Sequence, residues 1–122
     1  MRHWRTYGGM TLVTVAETPE FQRRARAIMS NDERMALIDY VARNPTAGVS
    51  IGGGVRKFRY AREGSGKSGS YRVIHFYAKD DSVPIFLITV FAKSENANLT
   101  QAETEAVKNL GKLLADNYRS QK

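Results

Sequence analysis

The sequence of 122 residues contains no cysteine and only two histidines, His3 and His75. The lack of cysteine excludes a disulfide framework, a thiol nucleophile and a cysteine-based zinc site. Neither histidine has a partner at metal-ligand spacing, so we expect no bound metal and no other cofactor. No apolar run approaches the ~20 residues of a membrane helix, and no apolar segment follows the basic start of the chain as in a signal peptide. The lack of cysteine fits a cytoplasmic protein, and the lack of a long apolar run argues against a membrane span.

What is present fits a single globular domain. Hydrophobic residues make up 42% of the chain and charged residues 25%, which is ordinary for a folded protein and argues against disorder over most of the chain. A chain of this length can bury a core of its own. Residues 1–9 show no periodicity, so we interpret them as a disordered extension that precedes one domain over residues 10–122.

Positive charge is concentrated in one part of the chain. There are 19 Lys and Arg residues against 12 Asp and Glu residues, which leaves a formal net charge of +7. Six basic residues and a single acidic residue, Glu63, fall within residues 51–72. A surface that only keeps a protein in solution would spread this charge more widely, so the cluster indicates a polyanionic or acidic partner. The six basic residues are Arg56, Lys57, Arg59, Arg62, Lys67 and Arg72.

Two helix starts lie ahead of this basic segment. Thr18 and Pro19 provide an N-cap hydroxyl and a proline at the first helical position. Ser30 and Glu33 have the spacing of a capping box, and apolar residues follow them at helical intervals. Pro45 ends the second helix. The pattern predicts two short helices in tandem, packed as a helical hairpin.

The rest of the chain has mainly strand periodicity. Residues 48–54 and 63–69 are rich in glycine and predict a flexible connection and a loop. A second capping box, formed by Thr100 and Glu103, begins a last helix. The order β-α-α-β-β-β-α, with three consecutive strands joined by short turns, predicts an α+β fold with a mainly antiparallel sheet. The predicted strands are residues 11–15, 55–60, 71–77 and 85–92.

The glycine-rich loop contains Gly66, Lys67 and Ser68, which look like the end of a phosphate-binding P-loop. The full motif needs a glycine five positions before Gly66, where this chain has Ala61. It also needs a helix immediately afterwards, whereas residues 70–77 have strand periodicity. We therefore reject a nucleotide-binding P-loop. Two interpretations stay open, a mobile hairpin loop and a cationic loop that touches phosphate without nucleotide specificity.

Strand alternation determines which basic side chains meet. If Phe58 faces the core, Lys57 and Arg59 project together from the opposite face of their strand. Arg72 lies near the start of the next strand and Lys93 ends the fourth, so we expect four cations at one side of the sheet. Gathered cations repel one another, and a bound phosphate backbone would offset that repulsion. The alternative is that these are solvated charges that discourage pairing at a strand edge.

His75 is flanked by apolar residues within a predicted strand. Its default interpretation is a structural histidine that makes a hydrogen bond inside the core. The residue types of a Ser-His-Asp triad are present in the chain, but no nucleophile elbow is.

Four segments follow one another in the chain: a cationic strand, a glycine-rich loop, a strand that begins Tyr-Arg-Val-Ile and a strand that closes on Ala-Lys. Taken in this order, they resemble the RelE/ParE superfamily of toxins from bacterial type II toxin–antitoxin systems, and the HigB/RelE-like branch is the most similar. The resemblance extends over residues 11–118 and implies the RelE-like fold. The four segments are residues 55–59, 64–69, 71–74 and 88–93.

The resemblance implies a small ribonuclease of the bacterial cytoplasm that enters the ribosomal A site and cuts mRNA during translation. A ribose 2′-hydroxyl would attack the adjacent phosphate, which requires a base, an acid and stabilisation of the developing negative charge. The resemblance also implies a cognate antitoxin, whose acidic or amphipathic segment would cover the basic groove or displace the last helix. The implied partners are therefore the antitoxin, the mRNA and the ribosome.

The resemblance assigns roles to four basic residues that match the family's motif. Lys57 is the candidate for proton transfer, and Arg59 is the candidate for phosphate binding. Arg72 matches the arginine that opens the family's third strand and would stabilise the transition state. Lys93 matches the basic residue at the end of the fourth strand.

The tyrosine that some members use near the C-terminus, to stack on a base or to transfer a proton, has no counterpart after Lys93. Tyr118 lies too far along the chain, on the predicted last helix. The identity of the acid and the base is therefore left open. The unranked candidates are Tyr71, His75 and Tyr77. The expected RNA-binding residues are Arg56, Arg62 and Lys67.

Two competing hypotheses belong to other functional classes. The runner-up is a non-enzymatic member of the same superfamily, a ParE-like toxin that inhibits DNA gyrase. Such members share the fold but lack the cationic group, so Lys57, Arg59 and Arg72 favour the ribonuclease. The third hypothesis is a plain RNA- or DNA-binding module. The chain has no recognition-helix signature, and packing explains its strand aromatics equally well.

Overall fold

The computed structural model describes residues 2–7, 11–61, 70–79, 82–92 and 99–120, with side chains from residue 14 onward. Within these residues it contains six strands and three helices. Their bounds are β1 Arg2–Tyr7, β2 Thr11–Glu17, α1 Pro19–Ile28, α2 Asn31–Arg43, β3 Val49–Gly52, β4 Val55–Ala61, β5 Ser70–Phe76, β6 Ile85–Ala92 and α3 Gln101–Ser120. Among the described residues, no helix combines the length and the apolar composition that crossing a bilayer requires.

The strands form one sheet in the order β1-β2-β6-β5-β4-β3. β2 and β6 run parallel, and every other neighbouring pair runs antiparallel. α1 and α2 follow β2 in tandem, and α3 comes after the last strand. The predicted α+β fold is therefore confirmed, with its mainly antiparallel sheet, its N-terminal pair of helices and its C-terminal helix.

α1 begins at the residue that the sequence predicts. Thr18 is the N-cap, and its Oγ1 accepts a hydrogen bond from the Phe21 N–H at 3.1 Å. The same hydroxyl donates to the carbonyl of Ile88 at 2.8 Å. Pro19 occupies the first turn, where its missing N–H costs nothing. One side chain therefore both caps α1 and ties it to β6 in the centre of the sheet.

Both predicted capping boxes are formed. The Glu33 N–H donates to Ser30 Oγ at 3.1 Å, and the Ser30 N–H donates to the Glu33 carboxylate at 3.0 Å. At the start of α3, Thr100 and Glu103 make the same pair of bonds at 3.1 and 2.8 Å. Each box satisfies N–H groups that a helix start leaves without a partner, so these short patterns fix where the helices begin.

Two strands lie where the sequence predicted irregular structure. β1 occupies residues 2–7 of the predicted disordered extension and pairs antiparallel with β2. β3 occupies part of the predicted flexible connection and pairs with β4. These strands form the two edges of the sheet, where main-chain hydrogen bonds to one neighbour hold the strand. Side-chain alternation is a weak guide to such strands, which explains why the periodicity did not predict them.

The sheet is covered on both faces. On one face α1 and α2 pack through a cluster that includes Phe21, Leu37 and Val73. On the other face α3 packs through a cluster that includes Ile74 and Ala115. Successive residues of β5 therefore enter different clusters, as the alternation of a strand requires. β6 lies between β2 and β5, which confirms the prediction that this nearly continuous apolar run is a central strand.

A buried ion pair joins α2 to the end of β2. The Glu17 side chain is fully buried, and that of Arg34 is 12% exposed. Arg34 Nε and a terminal guanidinium nitrogen donate to the two carboxylate oxygens at 2.6 and 3.0 Å. A two-point pair of this kind satisfies both groups at once and fixes their relative orientation.

Gly111 lets α3 lie close to the sheet. A Cβ atom at this position would come within 2.5 Å of Phe76 Cδ1, and both residues are buried. Gly111→Ala should gain about 1 kcal/mol of helix propensity but should lose about 1–3 kcal/mol to overpacking. We expect a net loss of stability, measured as the free energy of unfolding in urea.

The matched control for Gly111 is Asn109→Ala, an exposed position on the same helix. This variant gains helix propensity without a new contact, so its free energy of unfolding should be unchanged or slightly higher. A Gly111→Ala variant as stable as the Asn109→Ala variant would contradict the close approach of α3 to Phe76.

Candidate active site

The register of β4 and β5 decides where the basic side chains project. Phe58 lies opposite Val73, and both belong to the cluster under α1 and α2. Lys57 lies opposite Ile74 and Arg59 lies opposite Arg72, so these residues occupy the face that α3 covers. Phe58 does face the core, as the sequence argument required. Lys57 and Arg59 consequently project together from the other side of β4.

These three cations line one cavity with a volume of about 420 Å³. Apolar side chains from three segments form part of its lining, namely Ile74, Phe91 and Leu99. Among the described residues that line it there is no aspartate or glutamate. The arrangement therefore places positive charge beside an apolar surface that reduces the contact with water, which strengthens the attraction for an anion. The complete lining is Tyr40, Gly48, Val49, Lys57, Phe58, Arg59, Arg72, Ile74, Phe91 and Leu99.

The positions of Arg59 and Arg72 favour binding of an anion. Arg59 and Arg72 are directly opposite each other on antiparallel strands, and like charges in that position destabilise a sheet. Arg59 is exposed, whereas Arg72 is half-buried. The Nε atom of Arg72 is buried and has no hydrogen-bond partner in the part of the chain that the structure describes. Oxygen atoms of a bound anion would supply an acceptor for this N–H and offset the repulsion between the guanidinium groups.

A close approach of backbone shapes one wall of the cavity. Gly48 has a φ angle of +82°, and a Cβ atom here would lie 2.0 Å from the carbonyl oxygen of Lys57. Only glycine fits both the angle and the contact, so the segment that enters β3 can lie directly against β4. Arg56 fixes the same segment by donating to the carbonyls of Ala47 and Gly48 at 3.3 and 2.9 Å.

Arg56 was expected to bind RNA. The structure places its guanidinium on loop carbonyls, and it is not among the residues that line the cavity. Its observed contacts position the cavity wall, and its expected contact with RNA stays a prediction. The other two expected RNA-binding residues, Arg62 and Lys67, and the predicted catalytic residue Lys93 lie outside the described residues.

The three acid–base candidates are not among the residues that line the cavity. Tyr71 is buried, and its hydroxyl lies 3.1 Å from both the Ile28 carbonyl and a Glu33 carboxylate oxygen. Tyr77 packs half-buried against the cluster under α1 and α2. His75 is fully buried on that same side of the sheet. None of these three residues lines the cavity, so their geometry favours structural roles.

The surroundings of His75 match the structural interpretation. Its Nε2 lies 2.8 Å from the carbonyl oxygen of Pro45, which requires the N–H on this nitrogen. Its ring meets Phe58 edge-on, with the ring centroids 5.4 Å apart. Burial lowers the pKa of His75, the hydrogen bond to Pro45 raises it, and the positive charge of Arg56 lowers it further. The net shift is downward, so the folded protein holds this imidazole neutral.

We predict that stability falls as the pH drops below about 6.5, the ordinary pKa of histidine. The unfolded chain takes up a proton there, whereas the folded chain resists protonation until the pH reaches the lowered pKa of His75. The unfolded state therefore binds more protons in this window, and the free energy of unfolding declines with decreasing pH. Urea titrations at pH 7.5 and 5.5 measure the decline.

The control uses the only other histidine in the chain. His75→Gln should show a smaller difference between the two pH values, while His3→Gln should keep the difference of the unaltered protein. Equal differences in all three proteins would contradict the assignment of this pH dependence to His75.

Tyr40 and Gly48 are among the cavity-lining residues that the sequence did not mark as part of a site. Tyr40 lies on α2, outside the apolar positions that form the buried face of that helix. The one feature of the sequence that could have pointed to it is an aromatic residue outside this buried face. Gly48 belongs to the glycine-rich connection, but one sequence does not reveal which glycine meets β4. No group of three or more histidine, cysteine, aspartate or glutamate side chains that could hold a metal ion occurs among the described residues.

A family comparison agrees with this architecture of a small α+β domain with a basic cavity on its sheet. The model of the family described as "RelE toxin of RelE / RelB toxin-antitoxin system" matches residues 13–121, which is most of the chain. The protein therefore belongs to the RelE toxin family, and it is the toxin of a toxin–antitoxin system. Membership implies an antitoxin partner and confirms the resemblance to this superfamily. The placement in the HigB-like branch stays a prediction.

Proposed function

We propose that this toxin is an endoribonuclease that cuts mRNA in the ribosomal A site and thereby stops translation. The observation that supports the proposal best is the convergence of Lys57, Arg59 and Arg72 on one cavity without a described carboxylate among its lining residues. A cavity with this charge attracts a phosphodiester, which is the group that RNA cleavage must activate. Membership of the RelE toxin family supports the same reaction, because toxins of this family are generally endoribonucleases.

The proposed reaction uses the RNA's own nucleophile. The ribose 2′-oxygen forms a bond to the adjacent phosphorus, and the bond between phosphorus and the 5′-oxygen of the next nucleotide breaks. A base accepts the proton of the 2′-hydroxyl, and an acid donates a proton to the departing 5′-oxygen. The products are a 2′,3′-cyclic phosphate and a 5′-hydroxyl end. Side chains carry out both proton transfers in this scheme, which assigns no step to a metal ion.

The cavity residues suit different parts of this reaction. The side chain of Arg72 offers N–H groups in a fixed plane, and its Nε has no acceptor among the described residues, so we assign it to the oxygens that gain charge in the transition state. Arg59 is exposed opposite it and is assigned to phosphate binding in the ground state. Lys57 is the proposed proton-transfer group, since it lies two residues from Arg59 on the same face of β4. The proposal leaves the partner acid or base to a residue outside this trio.

A purified translation system tests the proposal directly. The toxin is added to ribosomes translating a defined mRNA, and the 5′ ends of the transcript are mapped. We expect new ends within the coding sequence that depend on translation. Intact mRNA together with continued translation would refute the proposal.

The same toxin preparation tests the competing hypothesis that the protein inhibits DNA gyrase. Purified DNA gyrase and supercoiled plasmid are incubated with the toxin, and relaxation and double-strand breaks are scored on gels. Broken DNA with unaffected translation would favour a ParE-like activity. Cut mRNA with intact DNA is the result that our proposal predicts.

A further inference from the structure

An aromatic side chain lines the same cavity as the three cations. Tyr40 lies on α2, lines the cavity and is 37% exposed. Its helix neighbours Leu37, Ile38 and Val41 are fully buried and hold α2 against the sheet. Tyr40 is thus a large ring that the fold leaves partly in solvent, on a packed helix and at the cavity that the three cations also line.

The ring of Tyr40 packs against two further aromatic rings. Its ring centroid lies 5.5 Å from that of Phe58 and 5.4 Å from that of Tyr60, at tilts of 43° and 55°. Phe58 is itself held edge-on against His75 within the core. The ring of Tyr40 is therefore positioned by β4 before any ligand binds. This reduces the side-chain conformational entropy that is lost when a ligand binds.

The strand that carries the cations also carries this aromatic support. Lys57 and Arg59 project from one face of β4, while Phe58 and Tyr60 contact Tyr40 from the other. β3 pairs with β4 only as far as Lys57, so the described chain places no strand beside the rest of that edge. Tyr40 reaches the cavity at this edge, where a ligand can contact the ring and the cations together.

We propose that Tyr40 stacks on a nucleobase adjacent to the phosphate that Lys57, Arg59 and Arg72 bind. This inference rests on the proposed function, because it takes the ligand to be RNA. A phosphodiester accounts for the cations, and a flat base accounts for an exposed ring that a phosphate alone does not need. The cavity volume of about 420 Å³ is in the range of sites for small ligands and leaves room for one nucleotide.

The test measures binding of a short RNA with and without the base. One trinucleotide carries a 2′-deoxyribose at the scissile linkage, so that it binds without being cut, and a second one also lacks the base beside that linkage. NMR titration gives dissociation constants even for weak complexes. Base stacking on an aromatic residue is worth about 1–3 kcal/mol, which corresponds to a difference of roughly 5- to 150-fold in affinity. Tyr40→Leu should lose such a factor for the complete RNA and should be unchanged for the RNA without the base.

The controls separate stacking from a loss of structure. Tyr40→Phe and Tyr40→Trp retain a ring and should retain most of the affinity for the complete RNA. Met35→Ala alters an equally exposed side chain of the same helix that does not line the cavity, and it should bind both RNAs like the unaltered protein. Thermal unfolding shows whether Tyr40→Leu is folded at the temperature of the titration. If it is unfolded there, the test compares how strongly Tyr40→Phe, Tyr40→Trp and the unaltered protein prefer the complete RNA over the RNA without the base.

The outcomes distinguish this inference from the proposed function. If Tyr40→Leu binds the complete RNA normally while Arg59→Ala does not, the stacking role is refuted and the proposed function is unaffected. If binding depends on the base and on Tyr40 but no RNA is ever cut, the proposed function falls and the stacking role stands. If the unaltered protein binds both RNAs equally well, the inference is overturned. This is also the result expected if the ring of Tyr40 contacts a protein partner and not a base.

Discussion

Replacement of Arg72 by alanine is expected to lower the rate of mRNA cleavage by about 10²–10³-fold, the usual effect of removing one donor to a developing oxyanion. The same change should leave the free energy of unfolding unchanged or raise it by about 0.2–1 kcal/mol, because it relieves the repulsion between directly opposed arginines. It also removes a buried N–H that has no described acceptor. Loss of activity without loss of stability characterises a residue that serves a ligand rather than the fold.

Three readouts check the result for Arg72. Expression of the unaltered toxin should arrest growth, and expression of Arg72→Ala or Lys57→Ala should not. Cleavage is then followed in a purified translation system, and stability is followed by urea titration. Arg26→Ala is the matched control, since it removes the same charge from an exposed position of α1 outside the cavity. An Arg72→Ala protein that still cuts mRNA at the normal rate would exclude its proposed role.

Replacement of Arg34 by alanine is expected to have the largest effect on stability. It leaves the fully buried carboxylate of Glu17 without its two-point partner. Breaking a buried pair on one side costs about 3–5 kcal/mol, because the remaining charge stays in a poorly solvating interior. The free energy of unfolding in urea should fall by that amount.

The controls for Arg34 compare an exposed pair and a neutral replacement. Arg23→Ala breaks the exposed contact with Glu20 on α1 and should change stability by less than about 1 kcal/mol. The double variant Glu17→Gln with Arg34→Met removes both charges and should be more stable than Arg34→Ala alone. If Arg34→Ala were no more destabilising than Arg23→Ala, the buried pair would not have the importance that its geometry suggests.

Local signals in the sequence predicted most of the architecture. The hydroxyl of Thr18 and the capping boxes at Ser30 and Thr100 act within a few residues, so they fix the helix starts without knowledge of the rest of the fold. Alternation within β4 placed Lys57 and Arg59 on one face, because side chains in a strand change face at every residue.

What the sequence did not reveal depends on contacts between distant segments. Pairing of β1 with β2 is made by backbone groups, which side-chain periodicity does not report. Arg56 belongs to the basic segment, but its guanidinium is engaged by loop carbonyls that only the folded chain brings near. Tyr40 is 17 residues before Lys57 in the chain and meets the cavity only because α2 packs on β4. Helix and strand propensities and the spacing of residues do not show which distant residues come into contact in the fold.

The most direct test of the central claim is a double-mutant cycle on Arg59 and Arg72, which face each other across β4 and β5. Single-turnover cleavage rates are measured in the purified translation system for the unaltered toxin, Arg59→Ala, Arg72→Ala and the protein with both changes. If the two guanidinium groups act on one phosphate, the double variant loses less activity than the product of the two single losses, because the second change removes part of an interaction that the first has already broken. Losses that multiply would show that the arginines act independently and would contradict a shared phosphate site.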